Sequence, residues 1–170
     1  MNRQQLAQKG ILLNAPKRAV GLYAGTRIVE GLFSSRLLVS GHGPWSDPAT
    51  AIKGKLGKDL SIIQGQDAAR LVGIGILSTI DHEVGIERLI GIVKALGMVN
   101  STPDFADQPA VIDGFSQLML EVFGPENGIG TRSAVSMASL PFGIAVEIEA
   151  EFIIKPLWLW KIQNFFGWDS

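Results

Sequence analysis

The 170-residue chain has no cysteine, two histidines and a single tyrosine. Without thiols it forms no disulfide, no zinc–thiolate site and no thiol nucleophile. His42 has no second His or Asp at a spacing that suggests a triad or a metal site, and His82 reads as a solvated residue near a helix end. Strong charge of either sign is missing too: the net charge is −1. No pull on phosphate backbones or anionic membranes is therefore expected. Arg88 and Lys94 interrupt the longest apolar region, which stays short of the roughly 20 residues of a membrane span. The segment Met1–Gly10 is polar and Ile11-Leu12-Leu13 is too short for a signal-peptide core. A cytoplasmic location is the resulting expectation. Gly41-His42-Gly43 lacks the lysine and helix context of a phosphate loop. No basic stripe with interleaved aromatics points to RNA.

What is present is an ordinary globular composition, 46% apolar and 18% charged, long enough for one domain with a real core. Residues 3–9 read as a turn or two of helix. Two strands are expected between Ala19 and Ser40, with a turn from Gly31 to Ser35. Trp45-Ser46-Asp47-Pro48 is turn chemistry, and Gly54, Gly57 and Asp59 suggest an exposed loop. A helix is predicted within 59–81, with Ala68, Leu71, Val72, Gly75, Ile76 and Thr79 on one side. Gly73 and Gly75 inside it fit close packing on a sheet. A central strand follows at 89–98. A second helix spans 109–123, with Pro109 in its first turn and Ile112, Phe115, Leu118, Met119 and Val122 as the buried stripe. Gly124 to Gly128 closes it, and strands at 132–138 and 144–154 complete a β-β-α-β-α-β-β order. The expected architecture is α+β: a mixed sheet with two helices on one face. Residues 1–154 form that domain, and 155–170 (KPLWLWKIQNFFGWDS) an aromatic-rich tail. The tail is expected to dock on its own or a neighbouring subunit. A weak interfacial membrane anchor is the rival reading.

The stretch Thr131–Ala150 carries the chemistry. Arg132 opens a short apolar strand, Leu140-Pro141 makes a turn, and Val146-Glu147-Ile148-Glu149-Ala150 alternates carboxylates with apolar residues. Alternation puts Glu147 and Glu149 on one face of that strand and Val146, Ile148 and Ala150 on the other. An Arg fork suits a carboxylate ligand, and a nearby Glu suits handling water or a proton. The plainer alternative for Arg132 is a structural salt bridge, with Glu147 itself as partner. For Glu147 it is a solvated position on an edge strand.

The run TRSAV…LP…VEIEA resembles the C-terminal signature of the RidA/YjgF family of enamine/imine deaminases, a group long named endoribonuclease L-PSP. Leu38-Val39-Ser40-Gly41-His42-Gly43-Pro44, Gly65-Gln66-Asp67-Ala68-Ala69-Arg70, Gly97-Met98-Val99-Asn100 and the run from Asp104 to Gly124 extend the resemblance over about residues 4–154. They point to the longer branch of the family. The resemblance implies the chorismate-mutase-like fold, a homotrimer with clefts between subunits, and hydrolysis of small reactive enamine or imine acids of the 2-aminoacrylate type to 2-keto acids and ammonia. It implies no cofactor and no metal. Arg132 falls on the position that binds the substrate carboxylate and Glu147 on the one that positions water, 15 residues apart. Tyr23 resembles a tyrosine that lies over the cleft, with plain packing as its alternative. Ser133 is a hydrogen-bond donor to a bound carboxylate. His42 stands where Gln is more usual, and a hydrogen-bonded structural role is its alternative. Asp113 stands where Asn is usual and adds a negative charge beside the cleft, leaving substrate choice and trimer packing both open as consequences. The alternatives to catalysis are a trimeric small-carboxylate binding protein and, more remotely, an endoribonuclease.

Overall fold

The computed structural model describes residues 1–15, 21–44 and 51–166. The expected turn at Trp45–Pro48 and the tail's last four residues lie outside them. Helix α1 (Arg3–Gln8) is closed by a capping box from Asn2 and Gln5. Strands β1 (Thr26–Val29) and β2 (Ser35–His42) form an antiparallel hairpin. Helix α2 (Ile62–Glu83) starts at Ser61, whose side chain accepts from the Gln64 backbone in a second capping box. Strand β3 (Leu89–Asn100), helix α3 (Gln108–Asn127), strands β4 (Thr131–Met137) and β5 (Val146–Ile154), and helix α4 (Leu157–Phe166) follow.

Among the described residues the sheet runs β1-β2-β5-β3-β4. Three of its pairings are antiparallel, and β3–β4 is parallel. A parallel neighbour needs a crossover, and α3 supplies it. Both long helices cover one sheet face. Ala68, Val72, Ile76 and Ile80 of α2 and Ile112, Phe115, Leu118 and Met119 of α3 are buried there against Leu37, Val39, Ile148, Ala150 and Phe152. The other face carries Arg36, Leu38, Lys94, Leu96, Glu149 and Glu151, and among the described residues no helix packs on it.

The expected layer order therefore stands, with three local differences. Leu71 is 38% exposed, because the buried stripe of α2 runs through Ala68, Ala69, Val72 and Gly73 instead. Gly73 opens space not for the sheet but for α3: a Cβ there would sit 2.6 Å from Leu118 Cδ2 and 3.1 Å from Phe115 Cδ2. The close expected at Gly124–Gly128 is instead a kink inside α3 at Gly124 (φ 76°, ψ 177°), after which Pro125 starts a last short turn.

The tail is helical. Arg88, almost fully buried, donates from Nε and Nη2 to the Lys155 carbonyl and fixes where α4 begins. Trp158 Nε1 donates to the Leu32 carbonyl on the β1–β2 turn at 3.1 Å. Part of the aromatic surface thus docks on its own subunit, while Trp158, Ile162 and Phe165 stay exposed along one helix face.

The two long helices meet backbone to backbone. A Cβ at Gly114 would overlap the Gln66 carbonyl oxygen on α2. Gly114→Ala is expected to destabilise the protein by about 1–3 kcal/mol through forced separation of α2 and α3. Urea unfolding would read this as a lower midpoint at constant slope. Gly75→Ala is the control: its nearest neighbour would be His42 Cδ2 at 3.8 Å, so stability should hold or rise by up to about 1 kcal/mol.

Candidate functional site

Strand alternation decides where each candidate side chain goes. Arg132 is registered against Ala95 of β3, and Ala95 against Ala150 of β5, so Arg132 shares the helix-covered face. Glu147 is registered against Met98 and Glu149 against Leu96, on the open face. Arg132 and Glu147 of one chain therefore lie on opposite sides of the sheet, and the salt bridge weighed between them does not form.

On the helix side, Arg132 lies along α3. Its Nη1 donates to Ser116 Oγ at 2.8 Å, and its Nη2 donates to the Pro109 carbonyl at 3.2 Å and to Asp113 Oδ1 at 2.6 Å. Positions 109, 113 and 116 follow helical spacing and line one face of α3. Arg132 is held but not enclosed, since 27% of its side chain is exposed. Beside it opens a cavity of about 430 Å³ between α3 and the start of β4. Phe115, Met119 and Ile92 line its apolar wall. Arg132 and Asp113 are the charged residues in its lining.

On the open side, the register between β2 and β5 slips between Val39 and His42. This bulge at Ser40–Gly41 bends β2 beside Glu147. Gly41 is needed there, because a Cβ would overlap Glu147 Oε1. Burial, and then the charge of Glu149, push the Glu147 carboxyl above the usual glutamate range. Glu149 and Ser133 line a trough of about 370 Å³ on the same face, with Ser40, Arg27 and Lys94. Glu151 pairs with Arg36. Ser133, next to Arg132 in sequence, thus faces the opposite way and does not accompany its guanidinium. Tyr23 is 53% exposed just before β1, its ring folded back against Gly21.

His42 belongs to neither group. The bulge turns it inward, where its Nδ1 lies 2.7 Å from the Ser40 carbonyl and its Nε2 2.8 Å from Thr79 Oγ1 on α2. A carbonyl only accepts, so Nδ1 carries the proton and Nε2 accepts from Thr79. Both nitrogens are used, and His42 fastens β2 to α2 rather than offering itself to a ligand. Sequence reading also missed Ser116, whose proximity to Arg132 depends on how α3 lies over β4. Among the described residues no cluster of three or more His, Asp or Glu has the arrangement of a metal site. No helix among them is long and apolar enough to cross a membrane.

A five-stranded mixed sheet with two helices on one face, entered through a β-hairpin and closed by a β3-α3-β4 crossover, is the chorismate-mutase-like α+β fold. No family model matches the chain. The chain is 41% identical over 116 residues to Protein TCP17 of Trypanosoma cruzi, covering 68% of this chain and 72% of that one. The structure of Atu1372 from Agrobacterium tumefaciens is 32% identical, covers 91% of each chain and superposes with a TM-score of 0.77. The YjgF gene product of E. coli (22% identical, covering 82% of this chain and 93% of that one) has a TM-score of 0.54. E. coli TdcF with bound serine (25% identical, the same coverages) has a TM-score of 0.52. The chain belongs to the RidA/YjgF family.

The buried neutral His42 makes stability pH-dependent. Burial lowers its pKa below the usual value, against the raising effects of the Ser40 carbonyl and Glu83. The unfolded chain then binds a proton that the folded chain refuses. Stability is lost as pH falls from about 6.5 towards the lowered value. His42→Gln, which keeps one donor and one acceptor, should flatten the melting temperature between pH 7 and pH 5.5. An unchanged slope would assign the loss to other groups.

Proposed function

We propose that this protein hydrolyses small reactive enamine or imine acids to 2-keto acids and ammonia, at clefts that two copies of the chain build together in a homotrimer. The observation that carries this reading is the split between the two half-sites. One holds Arg132 beside a cavity suited to a small ligand. The other holds a half-buried carboxylate, Glu147, whose raised proton affinity suits a group that exchanges protons with water. Neither half is sufficient, and they face opposite sides of one sheet. The edge of β4 supports a second copy as the missing partner: it ends the sheet, and an unpaired strand edge next to the cavity is a natural place for another chain. A site shared in this way repeats around a symmetry axis.

The chemistry asks little of the protein. Arg132 holds the substrate carboxylate through its fork. An enamine acid first moves a proton from its nitrogen to its terminal carbon and becomes the imine. Glu147 then orients a water towards the imine carbon, takes its proton and passes it to the nitrogen. The carbinolamine that forms then loses ammonia, and the C=O bond replaces the C=N bond. Positioning and electrostatics carry this sequence. The serine held by TdcF supports a small amino- or keto-acid-sized ligand. The setting we propose is the cytoplasm. A trimer that holds small carboxylates without turnover is the alternative, and the contact of Arg132 with Asp113 favours giving it a direct test.

The substrate is best generated in situ by a PLP-dependent dehydratase, with keto-acid release followed against the uncatalysed rate. Arg132→Ala and Glu147→Gln should each lower the protein-dependent rate by on the order of 100-fold. Equal rates for wild type and Arg132→Ala would end the catalytic reading and leave the binding one. A second measurement uses pH. Glu147 must be ionised, so activity should fail on acidification at a higher pH than an ordinary glutamate would dictate. Glu149→Gln removes one cause of the raised value and should move that acid limb to lower pH. A limb that stays in place would remove Glu147 from the pH response.

A further inference from the structure

A carboxylate already sits on the guanidinium that is meant to hold a carboxylate. Asp113 Oδ1 is 2.6 Å from Arg132 Nη2, and the Asp113 side chain is 58% exposed, open to the cavity and to solvent. The Ser116, Pro109 and Asp113 contacts engage three of the five guanidinium N–H groups, which leaves two among the described residues. The charged lining of the cavity is one cation and one anion.

We propose that Asp113 is a specificity-determining residue that makes this cavity select zwitterions, a carboxylate with a protonated nitrogen on the adjacent carbon, over plain carboxylate anions. The inference rests on the carboxylate-holding role of Arg132. A plain anion that reaches Arg132 must sit within a few ångströms of the Asp113 charge. The apolar wall of Phe115 and Met119 limits the water that screens that repulsion on the cavity side. A zwitterion meets both charges. Its carboxylate takes the Nη2 donor that Asp113 releases together with a remaining donor of Arg132, and its cationic nitrogen meets Asp113, so the internal ion pair is exchanged for two pairs with the ligand. The protonated form of an imine acid is such a zwitterion, whereas the keto-acid product is a plain anion. Asp113 therefore favours substrate over product at the same guanidinium and speeds product departure.

L-Alanine and L-lactate separate the two classes, since they differ in an ammonium against a hydroxyl on one carbon skeleton. Calorimetric titration of each near neutral pH into wild type, Asp113→Asn and Arg132→Ala reads the selectivity. Wild type should favour alanine by about tenfold or more. Asp113→Asn should lose that preference, chiefly by gaining affinity for lactate, and Asp113→Ala should shift it in the same direction if the charge decides. Arg132→Ala should weaken both ligands. An unchanged alanine-to-lactate ratio in both Asp113 variants, with Arg132→Ala still weakening both ligands, would overturn the role of Asp113 and leave that of Arg132 standing. Wild type that fails to bind alanine, or that favours lactate, would overturn it as well. Arg132→Ala that binds both ligands as wild type does would remove the role of Arg132, and this inference with it.

Discussion

Strand alternation is the constraint on which the site depends. Side chains along a strand point to alternate sides, and paired positions on neighbouring strands share a side. The register Arg132–Ala95–Ala150 commits the guanidinium to the helix layer, and Glu147–Met98 commits the carboxylate to the uncovered face. A shift of one residue in either pairing would put the two groups on the same side. In the β3–β5 pairing it would also expose Ile148 and Ala150, which are buried under the helices. Core burial thus fixes the separation of the two groups, and chemistry that needs both must find the second one elsewhere.

Small residues adjust this frame where the ligand groups sit. Gly114 and Gly73 bring α2 and α3 close, which settles α3 where positions 109, 113 and 116 reach Arg132. The bulge at Ser40–Gly41 does two things at once. It clears space for the Glu147 carboxylate, and it turns His42 inward to Thr79. The raised proton affinity of Glu147 and the lowered one of His42 thus arise beside one local irregularity, through burial in both cases.

Much of this was legible in the sequence, for identifiable reasons. The buried stripe of α3 follows from helical periodicity, and the shared face of Glu147 and Glu149 follows from alternation within one strand. The motif around Arg132 announced the family. What escaped was non-local. Which face Arg132 takes depends on the register of β4 on β3, and its partner Asp113 depends on the placement of a helix 19 residues upstream. The hydrogen-bonded role weighed for His42 is the one it takes, but its partner Thr79 depends on a bulge that cannot be read from Ser-Gly alone. Leu71 reads as inward because the glycines at 73 and 75 blur the period of α2. The tail's helix carries apolar residues on nearly every side, so its sequence suggested docking without giving a geometry.

Complementation between two inactive chains tests the divided site most directly. Arg132→Ala and Glu147→Gln chains, each inactive alone, would be unfolded together, refolded as a mixture and assayed for keto-acid release. If one copy supplies the guanidinium and its neighbour the carboxylate, random assembly of equal amounts should restore about one quarter of the wild-type sites. A mixture that assembles normally and stays as inactive as its components would contradict a site shared between two copies.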